Sequence, residues 1–264
     1  MALIRPVYNL DGSVVGEVEL PEVFELEIRP DVIRRVYLYN LTSRIQPQGR
    51  DPLAGLRTSA ESWGAGHGVA RVPRVKGRGY PAAARGARVN QAVKGVRVKA
   101  PRSDKVILER VNKKERALGI ASAIAASADI KLVAQRHRLN GLKAVPIVVV
   151  DDLSQVSKTK EIYNFLIGLG LKDELLRAKK RFKKIRAGRG KMRGRVRKRA
   201  RGPLLIFAEK SCPAMLAARN IPGIDVCSIH YLSVSKLAPG GIPGRLTVWT
   251  KKAIEELPNV LKLP

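Results

Sequence analysis

Two adjacent carboxylates, Asp151 and Asp152, directly follow the apolar run Val148–Val150. Open α/β sheets bind ligands beyond the carboxyl ends of their strands, so this position suits acid–base chemistry or a magnesium ion. The sequence contains no GxxxxGK[ST] loop that would cradle nucleotide phosphates beside them. Polar residues at the end of a strand more often cap the next helix or face solvent. We therefore expect no catalysis at these carboxylates. The alternative hypothesis is an RNA-processing enzyme that uses both of them with magnesium.

A glycine motif is the next candidate for phosphate chemistry. Residues 77–82 formally fit the GxGxxA pattern of dinucleotide-binding loops. Such a loop needs a strand before it, a helix after it and an acidic residue about 20 positions later. Here Pro73 and basic residues precede the motif, and the next acidic residue is Asp104. We therefore expect no cofactor.

The histidines and cysteines do not form a recognisable catalytic or metal-binding pattern. His67, His137 and His230 are dispersed, and Cys212 and Cys227 lack the spacing of a zinc site or a disulfide framework. A Cys/His nucleophile pair would also need a third group to orient it. We expect both cysteines to be small buried apolar residues, and we expect no metal.

The charge of the chain is concentrated in two stretches. The sequence has 51 Lys and Arg against 22 Asp and Glu, which gives a net charge of +29. Ten basic residues lie in residues 62–103, the first basic stretch, and fifteen lie in residues 177–203, the second basic stretch; neither contains an acidic residue. The remainder carries 26 basic and 22 acidic residues. This distribution predicts a nearly neutral domain with two cationic appendages.

A polyanion is the partner that suits these stretches. Like charges repel, and the binding of nucleic acid neutralises them while releasing counterions. A membrane is a poorer partner, because the first stretch is too rich in Gly and Pro for an amphipathic helix. The apolar runs of the chain also fall far short of the ~20 residues of a membrane span. We therefore predict nucleic-acid binding.

The predicted contacts are the cations and the flat side chains of both stretches. Arg donates paired hydrogen bonds to phosphate, and aromatic rings offer faces to unstacked bases. In the first stretch the predicted RNA-binding residues are Trp63, His67, Arg71, Arg74, Lys76, Arg78, Tyr80, Arg85, Arg88, Lys94, Arg97, Lys99 and Arg102. In the second stretch they are Lys180, Arg181, Lys184, Arg186, Arg189, Lys191, Arg193, Arg195, Arg197, Lys198, Arg199 and Arg201.

The two basic stretches differ in their expected local structure. Glycines and prolines without a sustained period predict an extended internal loop over residues 62–103. The second stretch is predicted to begin as a helix and to break at Gly188, Gly190 and Gly194 into a basic tail. The apolar residues expected on one face of that helix are Leu175, Leu176, Ala178, Phe182 and Ile185.

The rest of the chain alternates strands with helices. Predicted strands are two within 1–20 around a turn at 9–12, then 144–150, 204–208, 225–229 and 245–249. Predicted helices are 31–44, the Ala-rich stretch 117–128 with the residues before it, 157–169, 213–219, 233–238 and 250–257. Asp31, Asn112 with Glu115, and Thr250 are the expected helix caps. The alternation predicts a single α/β globular domain over residues 1–264, with a largely parallel sheet flanked by helices.

Short motifs along the whole chain carry a family resemblance. They are WGAGHGVAR at 63–71, VNKK at 111–114, KTK at 158–160, LAARN at 216–220 and DV at 225–226. In this order they resemble the family of the universal large-ribosomal-subunit protein four. RAGRGKMR at 186–193 is similar to a segment of archaeal and eukaryotic members. We expect the archaeal type, because the long carboxy-terminal extension of the eukaryotic members is missing.

The resemblance implies a structural role and no enzymatic activity. Family members bind large-subunit rRNA early in assembly with the α/β domain on the outer surface. Their long loop, whose tip would lie around Val69–Tyr80 here, helps line the nascent-peptide exit tunnel. The implied partners are rRNA, neighbouring ribosomal proteins and the nascent peptide in the cytoplasmic ribosome, without a membrane or a small-molecule substrate. A free-standing RNA chaperone is a further alternative.

Overall fold

The computed structural model describes residues 3–139, 142 and 144–261. The described residues up to Ser43, together with those from Glu109 onward, form one compact unit, which we call the α/β unit. Residues Arg44–Leu108 form a second compact unit, which we call the loop unit. The first basic stretch lies in the loop unit and the second lies in the α/β unit.

Six strands of the α/β unit form one sheet. They are β1 (Ile4–Tyr8), β2 (Val14–Glu19), β3 (Ile147–Val149), β4 (Leu204–Phe207), β5 (Asp225–Ser228) and β6 (Thr247–Thr250). The strand order is β2-β1-β3-β6-β4-β5, and only β2 pairs in an antiparallel manner. This largely parallel sheet confirms the predicted α/β class.

Helices cover both faces of that sheet. They are α1 (Pro30–Thr42), α2 (Lys113–Ala128), α3 (Ile130–Ala134), α4 (Thr159–Gly168), α5 (Lys172–Lys183), α6 (Pro213–Arg219), α7 (Val234–Leu237) and α8 (Lys251–Val260). No helix among the described residues is long and apolar enough to cross a bilayer.

Side chains that alternate along the central strands form two separate cores. In β4, Leu204 and Ile206 belong to the core that α1, α2 and α8 cover, whereas Leu205 and Phe207 belong to the core beneath α4, α5 and α6. All four side chains are buried, which a strand achieves only with helices on both of its faces. The continuous apolar run in the sequence is therefore explained by burial on both sides.

Small residues bring α1 and α2 close together. An added Cβ at Gly119 of α2 would lie 2.8 Å from Cγ2 of Val36 in α1. Ala121, Ala123 and Ala125 of α2 are also buried. The Ala-rich sequence therefore serves close helix packing, as its composition predicts.

The first helix begins differently from the sequence expectation. It starts at Pro30 rather than being capped by Asp31, and Arg29 occupies the N-cap position. Proline suits the first helical position because its φ is preset and its missing N–H would have no partner there. Asp31 lies in the first turn and pairs with Arg29 at 2.8 Å.

The other two expected caps are also wrong in their side-chain contacts. Asn112 precedes α2 without a side-chain capping bond, so the predicted capping box with Glu115 does not form. Glu115 instead pairs with Arg35 of α1 at 2.9 Å. Thr250 is the N-cap residue of α8 and makes no capping bond through its hydroxyl. In α2, a tertiary ion pair has replaced a local contact.

Candidate nucleic-acid interface

The first basic stretch is held by turns and isolated bridges, since the described residues of the loop unit contain no helix or named strand. Glu61 and Arg74 exchange backbone hydrogen bonds of 3.0 and 2.9 Å, and Arg74 also bridges Gly86. Gly64 and Gly66 have φ values of +82° and +88°, which L side chains rarely adopt. The structure therefore has the irregular backbone that the sequence predicts for this stretch.

Arg74 makes several contacts within this stretch. Its Nη1 donates to the carbonyl of Ala84 at 2.9 Å, and its guanidinium lies 5.4 Å from the ring centroid of Trp63. Trp63 also meets His67 edge-on, with ring centroids 6.0 Å apart. The Trp63 side chain is still 45% exposed. The Arg74 side chain therefore stabilises the loop unit through internal contacts, while part of the Trp63 indole remains exposed to solvent.

Three further predicted residues have partners within the loop unit. Lys76 pairs with Glu61 at 2.7 Å, which lowers the pKa of the Glu61 carboxyl. The hydroxyl of Tyr80 donates to the carbonyl of Lys76, and Nη2 of Arg88 donates to the carbonyl of Thr58 at 3.3 Å. All of these side chains remain exposed, so the contacts shape the loop without burying its charge.

The remaining cations of the first stretch face solvent. They are Arg71, Arg78, Arg85, Lys94, Arg97, Lys99 and Arg102. None makes a side-chain hydrogen bond or an ion pair with another residue that the structure describes. Unpaired charges on an irregular backbone have the properties of a phosphate-binding surface. Contact between these residues and RNA stays a prediction.

The second basic stretch turns back on itself after α5. Ile185 and Arg197 form an antiparallel bridge, and the N–H of Arg186 donates to the carbonyl of Val196 at 2.9 Å. Between them lie the short 3₁₀ turn Arg189–Arg193 and Gly194. A β-bridge therefore joins the outgoing and returning chains, and the other predicted cations of the stretch are exposed.

The expected apolar face of the helix is wrong in part. Leu175 and Ala178 are buried, but Leu176 and Ile185 are 47% and 57% exposed. Residues 175 and 178 share a face of a helix, whereas residue 176 is rotated by about 100° from 175. Ile185 lies beyond the end of α5 at Lys183. Both exposed side chains therefore add apolar surface to a basic region.

These exposed residues line a groove of about 640 Å³ beside α5. Seven cationic side chains and no acidic one are among the described residues that line it. The cations are Arg138, Arg177, Lys180, Arg181, Lys184, Arg186 and Lys198. Leu176, Ile185 and Ala187 complete the lining. The groove thus combines positive charge with apolar surface, which suits the phosphates and the sugar or base faces of RNA.

Two ion pairs, one of them to a buried arginine, hold the end of the second stretch at the amino ends of β4, β5 and β6. The Arg245 side chain is fully buried, and it donates to Gly202, Lys236 and Asp225 at 3.0, 2.6 and 2.7 Å. Arg201 donates two bonds, of 3.0 and 2.8 Å, to the same Asp225. The second basic stretch therefore leads into the sheet at the amino ends of its strands, opposite to the edge where α/β folds usually bind ligands.

Similarity to known proteins identifies the family. The model of the ribosomal protein L4/L1 family matches residues 18–260. The chain belongs to the ribosomal protein L4/L1 family. Large ribosomal subunit protein uL4 of Methanocaldococcus jannaschii is 50% identical over 251 residues, which are 95% of this chain and 96% of the relative.

Relatives from two other methanogens agree closely. The protein of the same name from Methanopyrus kandleri is 49% identical over 253 residues, covering 96% of each chain. That from Methanosphaera stadtmanae is 45% identical over 257 residues, covering 97% of this chain and 96% of the relative. These relatives and the family confirm the expected archaeal type, and they confirm a ribosomal, cytoplasmic protein that is not an enzyme.

One of the two carboxylates after β3 makes a structural contact. Oδ1 of Asp151 accepts a hydrogen bond from the N–H of Lys252 at 2.9 Å, and both Asp151 and Asp152 are exposed. No group of three His, Cys, Asp or Glu side chains suited to a metal ion occurs within the described ranges. The aspartate therefore caps a helix, although the helix is α8 and not the next one in the chain.

Both cysteines and one of the histidines occupy buried positions. Cys212 and Cys227 are buried free thiols, as predicted, and burial raises the pKa of each. His137 is buried against Glu174, with Nδ1 2.7 Å from Oε1. The sequence does not predict this pair, because nothing in the chain around His137 indicates a partner 37 positions later.

Proposed function

We propose that this chain is a structural component of the large ribosomal subunit and binds large-subunit rRNA early in assembly. The observation that carries the proposal is the row of exposed cations in two acid-free stretches, which have few acceptors inside the protein. The family and the relatives named for the large subunit support it. The bound surface would include both basic stretches, with phosphate contacts that recognise RNA shape rather than base sequence.

The loop unit has a second role in this proposal. Its tip, around Val69–Tyr80, would help line the nascent-peptide exit tunnel beside a neighbouring ribosomal protein. An irregular Gly-rich backbone can approach RNA closely where a Cβ would clash. Gly64, Gly66 and Gly68 have open space around them in the described structure. That surrounding space is where RNA would pack.

Salt dependence tests RNA binding. If about ten phosphates are neutralised, the logarithm of the association constant should fall with the logarithm of salt concentration with a slope of about −7 to −9. Arg195→Glu with Arg199→Glu should weaken binding to a large-subunit rRNA fragment, whereas Lys210→Glu, outside both stretches, should have a much smaller effect. An affinity independent of salt would contradict the proposal.

Incorporation into subunits separates this function from that of a free RNA chaperone. A built-in component should sediment with large subunits after a high-salt wash, whereas a chaperone should be released. Deletion of residues 69–80 should leave the α/β unit with its thermal transition but impair subunit assembly or tunnel shape. Loss of that transition would show that the tip is required for folding of the α/β unit.

A further inference from the structure

One buried carboxylate, Glu174, links the two ends of the second basic stretch through the side chain of Arg177. The Glu174 side chain is fully buried in α5, and Arg177 donates to it through Nε at 2.8 Å and through Nη2 at 2.5 Å. The same Nη2 donates to the carbonyl of Arg201 at 2.9 Å. Arg177 thus connects the outgoing helix to the returning chain, and Glu174 fixes its orientation.

Glu174 also bonds the segment that contains His137 and Arg138. Its Oε1 accepts from Nδ1 of His137 at 2.7 Å, and its Oε2 accepts from the backbone N–H of Arg138 at 3.1 Å. Burial alone would raise the pKa of Glu174, but the hydrogen bonds from Arg177, His137 and Arg138 outweigh it and lower the pKa to about 2. The carboxylate is therefore ionised, and it accepts from three residues.

Both arginines next to this carboxylate line the basic groove beside α5. Arg138 and Arg177 contribute side chains to it together with five other cations. Seven like charges in one groove repel one another, so their side chains would spread apart unless the structure restrains them. Restraint before binding reduces the ordering cost when a ligand arrives. Glu174 supplies such restraint to the guanidinium of Arg177 and to the backbone at Arg138.

We propose that Glu174 is the positioning residue of a preorganised RNA-phosphate site in the groove beside α5. It need not touch the RNA, because it holds the Arg177 guanidinium and the backbone at Arg138 in place. Its contact through Arg177 to Arg201 also keeps the two sides of the stretch together. This inference rests on the proposed RNA binding and identifies how one part of that surface is organised.

The net charge and the positioning role of Glu174 predict opposite effects on RNA affinity when this carboxylate is removed. Glu174→Gln raises the net charge from +29 to +30, so long-range attraction alone would strengthen the binding of a polyanion. Loss of a positioning carboxylate would weaken it. Glu209→Gln makes the same change in charge at an exposed site outside the basic stretches and is the matched control.

The first test compares these two variants on a large-subunit rRNA fragment that binds the unaltered chain. We expect Glu174→Gln to bind about tenfold more weakly, and Glu209→Gln to bind as tightly as the unaltered chain or more tightly. The salt slope of Glu174→Gln should also fall by roughly 1.5, because two phosphate contacts at about 0.7 to 0.9 each are lost. Equal affinity for the two variants would overturn the inference.

A second pair of variants keeps the charge constant. Arg177→Lys removes the fork that reaches both Glu174 and Arg201, and Arg34→Lys makes the same change at an exposed helical site outside both basic stretches and the groove. We expect about fivefold weaker binding for Arg177→Lys and less than twofold for Arg34→Lys, with native thermal transitions in both. If Glu174→Gln fails to fold, this pair of variants still tests the positioning role of Glu174. Equal RNA affinities of the two Arg→Lys variants would overturn the inference.

The outcomes also separate this inference from the proposed function. If the unaltered chain shows no salt-dependent binding to the rRNA fragment, the proposed function itself fails. If the unaltered chain and Glu209→Gln bind with a steep salt slope while Glu174→Gln matches them, RNA binding stands and Glu174 has no positioning role.

Discussion

Asp151 accepts a hydrogen bond through Oδ1 from the backbone N–H of Lys252, 101 positions later in the chain, at 2.9 Å. The contact joins the carboxyl end of β3 to the first turn of α8. That turn carries Lys251 and Lys252 and has no capping bond from Thr250. A nearby carboxylate therefore satisfies one free N–H and offsets the unfavourable placement of two cations at a helix N-terminus.

Replacement of Asp151 should lower stability rather than any activity. Asp151→Ala removes the cap of α8, so the free energy of unfolding should fall by about 1 kcal/mol. Asp152→Ala should change it by less than about 0.5 kcal/mol, as for an ordinary surface site. Denaturant titrations of both variants measure the difference. Equal losses of unfolding free energy in the two variants would show that the hydrogen bond from Lys252 to Asp151 does not stabilise the fold.

Gly119→Ala should destabilise the chain although alanine favours helices. The added Cβ would lie 2.8 Å from Cγ2 of the fully buried Val36. Overpacking of this kind costs about 1–3 kcal/mol, which exceeds the gain of about 1 kcal/mol in helix propensity. Thermal unfolding measures the balance. Combining the change with Val36→Ala should cost less than the two single changes added together, and strict additivity would contradict the steric explanation.

Asp225→Ala should cost more stability than Arg201→Ala. Asp225 is the carboxylate partner of the fully buried Arg245, so its removal leaves a buried charge uncompensated, at a cost of about 3–5 kcal/mol. The Arg201 side chain is 55% exposed, and its loss should cost less than about 1 kcal/mol. Unfolding free energies of the two variants provide the comparison. A reversed order would show that Arg245 finds other acceptors.

Stability should fall with acidification through the Glu174 and His137 pair. Burial lowers the pKa of His137 from its ordinary 6.5, so the unfolded chain takes up a proton first and stability declines as the pH falls below 6.5. The pKa of Glu174 is lowered from 4.5 to about 2, so its contribution is complete above 4.5 and is lost as the pH falls towards 2. That shift corresponds to about 3 kcal/mol.

Urea titrations across this range test the effect. The unaltered chain should lose stability steadily from neutral pH to about pH 3. Glu174→Gln should be less stable near neutral pH but should lose less between pH 4.5 and 3, because the titrating carboxylate is gone. A parallel decline in both proteins would assign the acid sensitivity to other groups.

Much of the architecture could be predicted because its signals are local. The apolar run that ends at Val150 predicts a buried parallel strand, and β3 occupies Ile147–Val149. Pro213–Arg219 is a helix with the predicted bounds. Strand and helix periods depend on neighbouring residues, so a single sequence carries them. Helix caps were less predictable, since Glu115 has an ion-pair partner in another helix, Arg35.

The sequence by itself determined the charge division, the α/β class and the family motifs, because composition, period and motif order are properties of the linear chain. Only the tertiary structure decided that Glu174 meets His137, Arg138 and Arg177, and that the second basic stretch leads into the sheet at the amino ends of its strands. Such contacts join residues far apart in the chain. Their formation depends on packing and burial, which determine where an ionised carboxylate can be stabilised.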